Sequence, residues 1–306
     1  MSSSKRKHQS SSESKKPKIR KTTTASSEFK MTFTIAVSSC ALFSQETGEG
    51  AAFPFVKALT MVNQRLTELG QTVTERFEIV LITTNSQDKD HLTKNIAKYT
   101  TILGQVRVCE ITGEKTLLDH LNEIKPVLYL STNLQNVREA INAGYGAATM
   151  TQRDYHKPSE EVLSVAFDGD GVLFSDESER VYKENGLKAF FDNEIKYEDT
   201  PLKQGPLSKF FQGLVHLQQI FKENGPIRTY LITSRSPTSP GLRALKTLKW
   251  EKLEINEAFF LSGADKGPVL KAIKPHIFFD DQLPHVTGAL ENGVIGAHVP
   301  YGVRNE

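Results

Sequence analysis

The chain has 306 residues, of which 38% are hydrophobic, 24% charged and 8% aromatic, so it has room for one large or two modest domains. No apolar run approaches the length of a membrane span and none follows the basic start, which argues against a membrane protein and a secretory leader. The formal net charge of +2 says little until the chain is divided.

Nine Lys/Arg residues stand against Glu13 and Glu28 in residues 1–30, a local charge of +7, which leaves −5 on the remaining 276 residues. Twelve of those thirty residues are Ser or Thr and Phe29 is their only aromatic. A segment so poor in apolar surface cannot offset chain entropy, so residues 1–31 read as a disordered basic tail. Its Lys15-Lys16-Pro17-Lys18-Ile19-Arg20-Lys21 run reads as a nuclear-import signal, as a contact for RNA or acidic lipid, or as a solvated leader. Two cysteines, Cys40 and Cys109, cannot build a disulfide scaffold or a four-thiolate zinc site, which points to a reducing compartment.

From Thr32 strands alternate with helices. Phe33 to Val37 reads as a strand, and Phe53 to Leu69 as a helix with Phe55, Leu59, Val62, Leu66 and Leu69 on one face. Phe77 to Thr83, Val106 to Ile111 and Val127 to Leu130 follow as buried strands. The pattern resumes with strands at Val162 to Phe167, Thr229 to Ile232, Ala258 to Leu261 and His276 to Phe279, and a helical stretch at Leu207 to Phe221. Near-continuous apolar strands separated by helices predict a parallel sheet covered on both faces.

The two halves share four stations in the same order. Ile35–Cys40 matches Val165–Asp170, and Leu81–Asn85 matches Leu231–Arg235. Thr112-Gly113-Glu114-Lys115 with Lys125-Pro126 matches Ser262 to Lys266 with Lys274-Pro275. Leu130–Leu134 matches Phe279–Leu283. The last three offsets are near 150 and the first is 130, so the second half carries about twenty extra residues between its first two stations. Either duplication or the shared punctuation of α/β units explains this. The chemistry is unequal: Asp168, Asp170, Asp280 and Asp281 face Ser38, Cys40, Ser131 and Thr132. The expected layout is an N-terminal α/β half over 32–155 and a catalytic half over 156–306 with a cap insert at about 175–204.

Asp168 and Asp170 directly follow a buried strand, where open α/β sheets place their ligands, and Gly169 and Gly171 allow the chain to turn. One carboxylate can attack phosphorus and the other can serve as general acid and base. A surface turn or a calcium loop is the plain alternative. Thr233 offers a hydroxyl to a phosphoryl oxygen, or a helix N-cap. Lys266 can bridge nucleophile and phosphoryl group, and Asp280-Asp281 completes an acidic cluster suited to a hard cation. The metal candidates are therefore Asp168, Asp170, Asp280 and Asp281.

The order Asp168-x-Asp170, Thr233, Lys266, Asp280-Asp281 resembles the four motifs of the haloacid dehalogenase-like superfamily of phosphotransferases. More narrowly, the segments 166–179, 226–235 and 274–282 look like cytosolic 5′-nucleotidase type I, and the resemblance runs from about Thr34 through Gly302. It implies a Rossmann-like haloacid dehalogenase-type parallel sheet with a small cap, beside a related N-terminal α/β half lacking the catalytic acids. It also implies Mg2+-dependent hydrolysis of nucleoside 5′-monophosphates, AMP typically, in the cytoplasm, with Asp168 as nucleophile and metal ligand. Asp170 would be the acid/base and offer its carbonyl to the metal, and Thr233 and Lys266 would hold the phosphoryl group. That family usually has Ala at Gly171, a small-for-small change expected to preserve the site, and Arg at Cys40. It responds to adenine nucleotides such as ADP, so an effector crevice at Ser38, Thr83, Thr84 and Ser131 is one reading of the first half, and structural support is the other.

In the cap insert, Ser178, Glu179 and Arg180 are candidates for substrate contacts, as are Ser234 and Arg235 after the second station. Phe190 and Phe191 are either a base-stacking surface or the core of the cap. The acidic body argues against a nucleic-acid partner except through the tail, and a homo-oligomer is compatible with the pattern. Rival readings are a phosphatase or phosphotransferase for another small phosphate ester, and a non-catalytic scaffold.

Overall fold

The computed structural model describes residues 31–70, 75–83, 89–222 and 225–306; the tail through residue 30, and Thr84 and Asn85 of the second station, lie outside the described residues. The first half runs β1 (Thr32–Ser38), α1 (Ser39–Leu42), α2 (Phe53–Glu68), β2 (Arg76–Thr83), α3 (Lys89–Leu103), β3 (Val106–Glu110), α4 (Leu117–Ile124), β4 (Leu128–Ser131), α5 (Leu134–Asn142) and β5 (Ala147–Met150). The second runs β6 (Leu163–Phe167), α6 (Glu177–Lys196), α7 (Ser208–Phe221), β7 (Ile227–Thr233), α8 (Ser239–Trp250), β8 (Glu257–Phe260), α9 (Gly267–Ile273), β9 (Ile277–Asp280), α10 (Leu283–Glu291) and β10 (Gly296–His298). A 3-10 turn, Val303–Asn305, follows.

The ten strands form one sheet in the order β3-β2-β1-β4-β5-β10-β9-β6-β7-β8. Read outward from the middle, both halves have the same order of strands, and all pairs within a half are parallel. The sheet is thus α/β and mostly parallel. The exception is the seam, where β5 and β10 pair antiparallel, with Met150 opposite Ala297 and Thr149 opposite His298. The two halves therefore run in opposite directions. Their strands' carboxyl ends open on opposite edges of the sheet, so Ser38, Thr83 and Ser131 lie on the edge away from Asp168 and Asp280.

Local chemistry explains the elements. Every residue of β6 is buried, as a central strand covered on both faces requires. Along α2, Phe55, Leu59, Val62 and Leu66 are buried at helical spacing, whereas Leu69 falls beyond the last turn and is exposed. Helices α4 and α9 stop alike: Lys125 and Lys274 take left-handed caps, with φ of 50° and 46°, one residue before a proline. Between the halves, Phe55 of α2 meets Phe210 of α7 edge-on at 6.1 Å. Phe210 in turn packs on Phe167 and Phe279, the last apolar residues before the acids of β6 and β9. Each such buried ring contributes about 1.5–3 kcal/mol, and the strand ends that carry the acids rest on these packed rings. No helix among the described residues is long and apolar enough to cross a membrane.

Candidate active site

Asp168 leaves β6, Thr233 ends β7, Lys266 precedes α9 and Asp280 ends β9; all four are buried and lie at one edge of the sheet. Lys266 is the electrostatic centre. Its Nζ donates to Asp168 Oδ1 at 2.8 Å and to Asp280 Oδ2 at 2.6 Å. Only 1% of this side chain is exposed, and the two carboxylates offset burial and hold its proton well above the usual range. Asp280 is fully engaged: besides Lys266, it accepts from the Gln282 amide at 2.8 Å and faces His285 Nδ1 at 3.1 Å. Burial alone would push its carboxyl up, but Lys266 and His285 outweigh that and hold it below the ordinary value.

Asp281 contrasts with its neighbour. Its Oδ1 is buried with no hydrogen-bond partner. Burial first, then the charges of Asp168 and Asp280, push its carboxyl up to about 9. Asp168 is likewise raised, to about 7, by burial and Asp280 against the pull of Lys266. Carboxylate oxygens of Asp168, Asp280 and Asp281 lie within 4.8 Å of one another. A hard divalent cation suits such a set, since it removes the mutual repulsion and gives the orphaned oxygen a partner. The donor set fits that ion.

Asp170 is turned away from this cluster. Both its oxygens accept from Arg235, at 2.7 Å from Nε and 2.7 Å from Nη2. Arg235 Nη1 reaches Glu194 of α6 and the Pro240 carbonyl, so the guanidinium joins the Asp170 loop to the cap. Glu194, fully buried, also accepts from Arg243 Nη1 at 2.9 Å and from Ser178 Oγ at 2.7 Å. Arg243 Nη2 continues to Glu177. The insert is closed at its base by a bridge between Phe174 and Gln204 and by the Ser175 amide donating to the Lys203 carbonyl. Within it α6 breaks at Gly186, whose φ of 80° is left-handed.

The remaining candidates disperse. Ser234 is exposed, Ser178 is buried against Glu194, and Arg235 donates to Asp170, Glu194 and the Pro240 carbonyl. Arg180 pairs with Asp176 and Glu306 on the cap's flank. Glu179 pairs with Arg304 of the terminal turn. Phe190 is half-buried and packs edge-on to Tyr182 and Phe191, with Arg235 over its face. Thr233 is not the N-cap of α8, which is Thr238; its hydroxyl accepts from the Arg235 amide at 3.2 Å and steadies the intervening loop. Gly171 is stricter than the small-for-small exchange suggests: φ is +76° and a Cβ would come 2.7 Å from Asp281 Cγ. Glu194, Arg243, His285 and Arg304 were not among the sequence candidates.

The Asp281 carbonyl accepts from Asn305 Nδ2 at 2.9 Å and lies 3.0 Å from His298 Nε2. A cleft of about 820 Å3 between α5 and α10 ends on Asp281. In the first half, Ser38 and Ser131 accept from the Ala41 and Asn133 amides, and the Ser131 turn repeats the one Asp280 makes with Gln282.

Comparison with known proteins identifies the family. The family described as 5'-nucleotidase matches residues 44–306. Cytosolic 5'-nucleotidase 1B of Homo sapiens is 41% identical over 301 residues, 88% of this chain, and the chain spans about half (49%) of that relative's length. Among solved structures, a "putative beta-phosphoglucomutase" from Thermotoga maritima matches over 44% of this chain and 82% of its own, at 18% identity and a TM-score of 0.25. With the family match spanning most of the chain and its strand-end acids gathered at one edge, the chain belongs to the 5'-nucleotidase family.

Proposed function

We propose that this chain hydrolyses nucleoside 5′-monophosphates, AMP foremost, to nucleoside and phosphate, with Mg2+ as cofactor and an aspartyl-phosphate on Asp168 as intermediate. The observation that carries the reading is the buried Asp168–Lys266–Asp280 chain beside an unpartnered Asp281 oxygen. Asp168 and Asp281 would hold the metal, with the Asp170 carbonyl as a further ligand; Asp280, spent on Lys266, Gln282 and His285, would orient rather than bind. The ion supplies charge neutralisation on the phosphoryl oxygens when bound.

Asp168 attacks phosphorus, the P–O bond to the 5′ oxygen breaks, and that oxygen takes a proton from Asp170. Water then attacks the acyl phosphate, giving its proton back to Asp170 and releasing phosphate and Asp168. Lys266 keeps the Asp168 oxygen oriented and offsets charge accumulating on the phosphoryl group. Thr233, one strand away, offers its hydroxyl to the same group. Both Asp170 oxygens accept from Arg235, which holds the carboxyl beside the cap, and the carboxyl turns from Arg235 toward the leaving oxygen when it acts. Through Arg235 and Glu194 the acid/base is tied to the cap, so cap position and acid/base position are linked.

The two halves read as copies of one α/β unit, of which the second alone kept the acids. An effector nucleotide in the first-half crevice would act from the far edge of the sheet. The test is phosphate release from AMP, IMP, dAMP and sugar phosphates with and without magnesium. Nucleoside monophosphates are expected to dominate, and preference for sugar phosphates would overturn the substrate reading.

A further inference from the structure

The cleft that ends on Asp281 is walled by both halves. Leu283 and Leu290 of α10 form one side; Arg138 of α5, with Thr149 and Arg153 along and beyond β5, forms the other. Its 820 Å3 is ample for a mononucleotide. Among the described residues, neither Arg138 nor Arg153 forms an ion pair, although charged side chains elsewhere are widely paired. The Thr149 hydroxyl, beside His298 across the seam, is buried with no hydrogen-bond partner. A buried hydroxyl left unpaired is costly, and a ligand in the cleft can supply the missing bond.

Charge balance at the metal end points the same way. Asp168, Asp170, Asp280 and Asp281 stand against Lys266 and Arg235, whose donors are already occupied. A divalent cation would bring this set only to neutrality, so an incoming phosphate dianion meets no surplus of positive charge there. The two unpaired guanidiniums of the first half provide it within the same cleft, where they outnumber Glu291, Glu306 being held by Arg180, and Arg304, on Glu179, stands at the corner where cleft and cap meet.

We propose that this cleft is the capture site for the phosphate-bearing substrate, with Arg138 and Arg153 of the non-catalytic half drawing in its anionic group and Thr149 donating to it. The first half is then part of the substrate site as well as a packing partner. This rests on the nucleotidase reading and adds to it residues that no catalytic motif contains. Electrostatic capture acts on association and is screened by salt.

The test uses the full chain with magnesium and AMP. R138A and R153A should each lower kcat/KM about tenfold, and the double variant about a hundredfold, with kcat at saturation and the thermal midpoint retained. The fall of kcat/KM with rising salt should flatten in the double variant, which a purely structural role would not produce. Lysine at both positions should restore most of kcat/KM, since charge is what is required. Wild-type kcat/KM and unchanged salt dependence in the double variant would overturn the proposal. If the wild-type chain cleaves no nucleoside monophosphate, the nucleotidase reading falls by itself. Calorimetry with inorganic phosphate then decides the cleft: binding lost in the double variant upholds it, and equal binding by both proteins removes it.

Discussion

Glu194 offers the sharpest structural test, because one carboxylate holds two buried arginines between cap and core. Replacing it with alanine leaves Arg235 on Asp170 and the Pro240 carbonyl, and Arg243 on Glu177 and the Thr200 carbonyl. It also strips Ser178 of the partner its hydroxyl bonds at 2.7 Å. Breaking a buried ion pair from one side costs about 3–5 kcal/mol, and the retained partners argue for the lower end, about 3 kcal/mol. At roughly 2–4 °C per kcal/mol for a body of this size, the thermal midpoint of Glu194→Ala should fall by roughly 6 °C or more. Glu194→Gln, which keeps an acceptor but not the charge, should lie between wild type and alanine. The assay is thermal unfolding followed by circular dichroism, alongside turnover at saturating AMP. Turnover should fall as well, since Arg235 no longer fixes Asp170 against the cap. A midpoint within about 2 °C of wild type would refute the reasoning, because a buried pair of arginines would then not need this carboxylate.

Other outcomes follow from the same geometry. Because Asp281 and Asp168 are raised to about 9 and about 7, the folded state binds their protons more tightly than the unfolded chain does. The share of metal-free stability that these two groups carry is therefore full at low pH and is lost as pH rises from about 4 toward 9. Asp281→Asn should flatten that decline and abolish stabilisation by magnesium, both read from melting curves across pH. Gly171→Ala should cost about 1–2 kcal/mol from the left-handed backbone alone, and weaken magnesium binding by pressing on Asp281, measurable by calorimetry. His276, whose proton affinity burial depresses to about 4, accepts the Ser164 amide at 3.1 Å as a neutral ring. Its contribution is present above about 6.5 and is lost as pH falls toward 4, about 3 kcal/mol in all, so His276→Asn should make the acid limb of the stability profile shallower.

The site was legible wherever chemistry follows an apolar strand. Asp168, Thr233 and Asp280-Asp281 sit at strand ends and Lys266 just before α9, in an order that needs no tertiary knowledge, and the structure brings them to one edge. The seam was not legible, because Ala147–Met150 and Gly296–His298 are three or four residues long and rich in small side chains, without periodicity to mark them. Without the seam, the opposite running of the halves, and hence the separation of Ser38 and Ser131 from the acids, cannot be deduced. Arg235 was a candidate for substrate contacts, but its partner Glu194 is one of five acids in a polar helix, and only packing reveals that the pair is internal. Arg138, Arg153 and Arg304 likewise look like ordinary surface cations until the fold places them along a single cleft.

Phosphate release from AMP by wild type and Asp168→Asn, each with and without magnesium, tests the central claim most directly. Wild type should turn over only with the metal, and the variant should melt as a folded protein and release no phosphate. Turnover by a folded Asp168→Asn at the wild-type rate would contradict the account.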